Sequence, residues 1–87
     1  MGRICFADKG WEEYKYWQTH DRKTLKKIND LLASIGRDGA MKGVGKLEKL
    51  KHRVNEYSRR IDEANRLVYE MGEDLITVLS CKGHYED

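Results

Sequence analysis

A lone carboxylate, a set of arginines and a histidine–tyrosine pair are the side chains here whose types and spacing suit acid–base chemistry on an anion. Glu48 is the only acid between Gly39 and Asn55, and its neighbours include Lys46, Lys49 and Lys51. Arg59, Arg60 and Arg66 flank the turn-forming run Asp62-Glu-Ala-Asn65. Cross-strand pairing would bring an arginine from each side of that turn close to the other. Unpaired buried charge is costly, so such a cluster is expected to face solvent or an anion. His84 and Tyr85 follow a β-prone run directly, and a strand end is a rigid place to present a side chain. A base, a cation cluster and an acid are what phosphodiester cleavage needs. The base takes the proton of the attacking hydroxyl, the cations stabilise the phosphoryl oxygens, and the acid protonates the leaving oxygen. In RNA the 2′-hydroxyl is a built-in nucleophile, so the first step calls for no metal and no cofactor. On residue types alone, the blander reading is a basic module that contacts RNA or protein without cutting anything.

The elements that must position these groups can be read from periodicity. Residues 3–7 form a short β-prone run. Trp11, Tyr14 and Trp17 make one apolar stripe at helical spacing, with Asp8 as the expected cap and the aromatics expected in the core. Asp21 can cap a second helix whose buried face is Leu25, Ile28, Leu31, Leu32 and Ile35, with Gly36 expected to close it in left-handed geometry. Residues 37–46 read as a glycine-rich loop, and no Gly-Lys-Ser/Thr makes it a phosphate loop. From Tyr57 the period becomes two, with strands expected over 57–61, 66–71 and 75–82, the last apolar on both faces and so expected to be central. The order β-α-α-β-β-β predicts a single α+β domain over residues 1–87: a small, mostly antiparallel sheet with an N-terminal helical hairpin on one face.

Composition narrows the function classes. Eighty-seven residues, 39% hydrophobic and 37% charged, can build one small core, burying roughly 60% of the unfolded surface. That excludes a two-domain enzyme, a Rossmann site or a barrel. The longest apolar stretch, residues 75–81, is far short of the ~20 residues that cross a bilayer. No basic-then-apolar leader opens the sequence, and Phe6 stands where N-myristoylation requires Ser or Thr, so a soluble cytoplasmic protein is expected. Cys5 and Cys81 lie in apolar runs and are expected as two buried thiols, and no metal-ligand spacing is present. The net charge of +2 conceals a segregation: residues 42–60 carry +5 and residues 62–87 carry −5. A segment that basic suits a polyanion, since phosphates attract Lys and Arg and release counterions.

Six blocks, in order, carry a family resemblance: Trp11-Glu-Glu-Tyr-Lys-Tyr-Trp17, Lys26-Lys-Ile-Asn29, Gly43-Val-Gly-Lys-Leu-Glu-Lys-Leu-Lys-His52, Ser58-Arg-Arg-Ile61, Arg66-Leu-Val-Tyr69 and Cys81-Lys-Gly-His-Tyr85. Over nearly its whole length the sequence resembles the YoeB/Txe-type toxins of the RelE superfamily, the RNA-cleaving halves of bacterial type II toxin–antitoxin pairs. The resemblance implies a RelE-like fold and an mRNA interferase that cuts mRNA in the ribosomal A site of the 70S ribosome. It implies a cognate antitoxin as partner and a homodimer. By position, Glu48 resembles the family's general base, His84 its general acid and Arg66 the arginine that stabilises the transition state. Lys51 and Arg60 resemble supporting phosphate contacts, and Tyr85 the tyrosine that positions substrate. Arg59 joins the phosphate-contact set as the other half of the arginine pair. The sequence departs from the family pattern at 53–57, one residue shorter and without glycine, in lacking prolines beside Glu48, and in carrying Glu86 and Asp87 after the tyrosine. Two other readings stay open: a non-catalytic toxin of the same fold that binds a protein target, and a plain RNA-binding module.

Overall fold

The computed structural model describes residues 3–43, 45, 47–51 and 53–83. The chain runs β1 (Arg3–Phe6), α1 (Asp8–His20), α2 (Arg22–Asp38), β2 (Leu47–Lys49), β3 (Glu56–Arg60), β4 (Arg66–Gly72) and β5 (Leu75–Ser80). The strands form one sheet in the order β1-β5-β4-β3-β2. Only β1 runs parallel to its neighbour, β5; the other pairs are antiparallel. This is the expected α+β architecture with one strand more. Leu47-Glu-Lys49 is too short and too charged to show a period of two, and it becomes a strand only because β3 offers a partner.

Both helices pack on one face of the sheet. From α1 the core takes Trp17; from α2 it takes Ile28, Leu31, Leu32 and Ile35; from the sheet it takes Leu67, Tyr69, Ile76 and Val78. The approach of α1 to β5 is close enough that a Cβ on Gly10 would collide with the carbonyl oxygen of Val78, so only glycine permits this packing distance. Asp21 caps α2 as expected, its carboxylate accepting from the amides of Lys23 and Thr24 and from the Thr24 hydroxyl. The Thr24 hydroxyl in turn holds the Asp21 carboxyl below the ordinary carboxylate range. The turn at 62–65 is also as expected, built on Asp62 accepting from the amides of Ala64 and Asn65.

Several local expectations are corrected. Gly36 lies inside α2, which runs on to Asp38 and ends at Gly39 with φ +93. Asp8 is the first residue of α1, not its cap; Ala7 holds that place without a side-chain bond. Of the aromatic stripe only Trp17 is buried. Trp11 is 44% exposed and packs sideways on Phe6 and Tyr14, because α1 meets the sheet through Gly10 and Trp17. Cys81 is buried as expected and its thiol is pushed up to about 12 by burial, whereas Cys5 is exposed on the edge strand β1. None of the helices, among the described residues, is long and apolar enough to cross a membrane.

Candidate functional site

Residues paired across an antiparallel sheet point to the same side, so register sorts the candidates by face. On β3, Arg59 pairs with Leu47 and Leu67, and Tyr57 with Tyr69; these belong to the helix-covered side. Ser58 pairs with Glu48 on β2 and with Val68 on β4, and Arg60 pairs with Arg66. Glu48, Ser58, Arg60 and Arg66 therefore share the opposite face, the one the helices leave uncovered. Glu48 and Arg60 are exposed, and Arg66 is half-buried. Lys51 is exposed in the turn that follows β2. The structure thus brings together Glu48, Arg60 and Arg66 from three strands, with Lys51 one turn beyond. A carboxylate that shares a sheet face with two guanidinium groups can accept a proton while cations hold an anion beside it.

Arg59 is not part of this group, which corrects its expected role as a phosphate contact. It is fully buried. Its Nε donates to the Tyr69 hydroxyl at 3.0 Å, Nη1 to the Ser34 hydroxyl at 3.1 Å, and Nη2 to the carbonyls of Gly39 at 2.9 Å and Lys42 at 2.6 Å. Tyr69 completes the arrangement by donating to the Ala40 carbonyl at 2.8 Å. Burial raises the Tyr69 phenol above its ordinary value, which keeps it a donor. Arg59 thereby ties the loop after α2 to the sheet, and that loop leads into β2 and Glu48. Period two carried the signal: Tyr57 and Ile61 lie two residues either side of Arg59 and both belong inside.

His84 and Tyr85 lie outside the described residues. What the structure does define is the path of the chain up to Gly83. The Cys81 amide donates to the Glu13 carboxylate at 2.8 Å, and its carbonyl accepts from the Trp17 indole at 2.9 Å. The Gly83 amide donates to the Asn65 side-chain carbonyl at 2.8 Å, and the Gly83 carbonyl accepts from the Arg66 amide at 3.0 Å. The Asn65 amide group is oriented in turn by Asp62, to which its nitrogen donates at 3.0 Å. The end of β5 is thus clamped beside Arg66 from two directions. Reasoning from sequence missed Glu13, Asn65 and Ser58. Ser58 alone carried a signal, because it shares strand parity with Arg60. No group of three or more His, Cys, Asp or Glu that could hold a metal ion occurs among the described residues.

Comparison with known proteins adds a family to this geometry. Residues 6–85 match the family model described as the YoeB-like toxin of bacterial type II toxin-antitoxin system. The chain is 48% identical to Toxin YoeB of Streptomyces coelicolor over 84 residues, 95% of this chain and 99% of that protein. Its fold superposes on the YoeB dimer structure from Staphylococcus aureus with a TM-score of 0.90 at 49% identity, covering 95% of this chain and 97% of that one. A chain of the YoeB–YefM complex from the same organism gives 0.89 at 48% identity, covering 98% of this chain and 99% of that one.

Proposed function

Because the chain belongs to the YoeB-like toxins of bacterial type II toxin–antitoxin systems, we propose that it is a ribosome-dependent endoribonuclease that cleaves mRNA in the A site without a metal. The observation that carries the reading is the shared face. Glu48, Arg60 and Arg66 come together there from three strands, and the chain reaches Gly83 clamped to the backbone of Arg66. The next two residues in sequence are His84 and Tyr85.

In this mechanism Glu48 takes the proton of the ribose 2′-hydroxyl. The freed O2′ attacks the adjacent phosphorus, and the P–O5′ bond breaks as His84 protonates O5′. The products are a 2′,3′-cyclic phosphate and a 5′-hydroxyl, so atoms and charge balance with no external water. Arg66 stabilises the charge that builds on the non-bridging oxygens, Arg60 and Lys51 hold the neighbouring phosphates, and Tyr85 positions the substrate. Relatives from Staphylococcus aureus are solved as a dimer and in complex with YefM. On that basis a homodimer and an antitoxin partner are assigned to this chain as well, and the +5 charge of residues 42–60 is the reason to expect an acidic or amphipathic antitoxin segment over that region and the His84 tail. A protein that works on translating ribosomes acts in the cytoplasm.

The test is to express the chain alone in a bacterium and map RNA ends on ribosomes for wild type, Glu48→Ala and His84→Ala. Loss of the general acid is expected to slow cleavage about 10²–10⁴-fold. Equal cutting by wild type and His84→Ala overturns the mechanism, and undiminished toxicity of the Glu48→Ala/His84→Ala double variant favours a non-catalytic toxin.

A further inference from the structure

We infer that Ser58 is a positioning residue that sets the direction of the Arg66 guanidinium across the proposed cleavage site, an inference that rests on the nuclease reading above. Arg66 and Arg60 are directly opposed on β4 and β3. Two like charges in such a pair repel, and long side chains at a sheet end have several rotamers that would carry them apart. Ser58 removes that freedom. Arg66 Nε donates to the Ser58 hydroxyl at 3.0 Å. Ser58 lies on the same face two residues back along β3, so the bond draws Arg66 diagonally, away from Arg60 and into the row that Glu48 occupies.

Three features separate this hydroxyl from an ordinary strand serine. It is 1% exposed, so the accepting end of this partly buried hydrogen bond is shielded from water. It lies directly between Glu48 and Val68 in the cross-strand register; of the three rows that join β2 to β4, this is the one whose side chains share the face of Arg60 and Arg66. It takes Nε, the guanidinium donor nearest the backbone, and so fixes the plane in which the fork lies. Alanine would fill the same space and pack as well against Val68, but it could not aim the guanidinium. A misplacement of about 1 Å in a transition-state contact costs up to ~10²-fold in rate.

The experiment is a double-mutant cycle on purified protein with programmed ribosomes, comparing wild type, Ser58→Ala, Arg66→Ala and Ser58→Ala/Arg66→Ala. Single-turnover cleavage rate, ribosome affinity and melting temperature are measured for each. The expected result is a rate about 10- to 100-fold lower in Ser58→Ala, with ribosome affinity unchanged within about twofold and no further loss when Ser58→Ala is added to Arg66→Ala. Cleavage by Ser58→Ala within about twofold of wild type overturns the inference, as does the same rate loss in the presence and absence of Arg66. If wild type cuts and Arg66→Ala does not while Ser58→Ala cuts normally, this inference fails and the nuclease reading stands. If wild type cuts nothing, or Arg66→Ala cuts as well as wild type, the nuclease reading itself fails and takes this inference with it.

Discussion

Arg59 and Arg60 are adjacent in sequence, and replacing each by alanine should produce opposite phenotypes. Arg59 is buried and its guanidinium bonds two hydroxyls and the carbonyls of Gly39 and Lys42 at 3.1 Å or less. A hydrogen bond from a charged donor contributes about 1.5–3 kcal/mol net, and a buried acceptor left without its donor costs a similar amount. Even if only two of the four prove irreplaceable, Arg59→Ala loses about 3–6 kcal/mol. A chain of this length has about 4–13 kcal/mol of stability in all. At about 4–8 °C per kcal/mol, the melting temperature should fall by at least ~12 °C. Arg60 is exposed on the other face, so Arg60→Ala should change stability by no more than about 0.5 kcal/mol. It should instead weaken RNA binding and reduce the slope of log K against log salt by about 0.7, the loss of one phosphate contact on a single strand. Thermal melts and salt-titrated RNA binding on both variants decide the matter. If Arg59→Ala melted like wild type and lost RNA affinity with a shallower salt dependence, the assignment of Arg59 to loop anchoring would be wrong.

Other perturbations follow from the packing and the shifted groups. Gly10→Ala should destabilise the fold by about 1–3 kcal/mol, since its Cβ must push α1 off the Val78 carbonyl; a melt unchanged from wild type would refute the close-approach argument. The Cys81 thiol is buried and pushed up from 9.0 to about 12, so the folded state holds its proton where the unfolded chain would lose it. Stability from this source is complete below pH 9 and drains away as pH rises toward 12. Cys81→Ser should flatten that alkaline decline, and thiol labelling of the folded protein at neutral pH should mark exposed Cys5 and spare Cys81. Asp21 is shifted the other way, chiefly by its bond from the Thr24 hydroxyl. Its contribution is present above the ordinary carboxylate pKa and lost as pH falls through the depressed value, so Asp21→Asn should give a shallower acid limb in pH-dependent melts.

Local interactions account for what the sequence by itself determined. The stripe Leu25, Ile28, Leu31, Leu32 and Ile35 and the Asp21 cap define α2 with contacts three and four residues apart. Asp62 and Asn65 define their turn within four residues. The charge segregation that points to a polyanion is a property of composition, and side-chain type and family pattern single out Glu48 and Arg66 for the roles proposed above. What only the tertiary structure decided involves residues distant in the chain. β2 has no period of its own and exists because β3 pairs with it, which is what sets Glu48 opposite Ser58. The Arg66 bond to Ser58, the Asn65 hold on Gly83 and the Glu13 hold on Cys81 span 8, 18 and 68 residues. Strand parity then sends Arg59 inward and Arg60 outward, although their chemistry is identical. Residue type says which groups can act on a phosphate; the register of the sheet and the closure of distant segments decide which of them share one face.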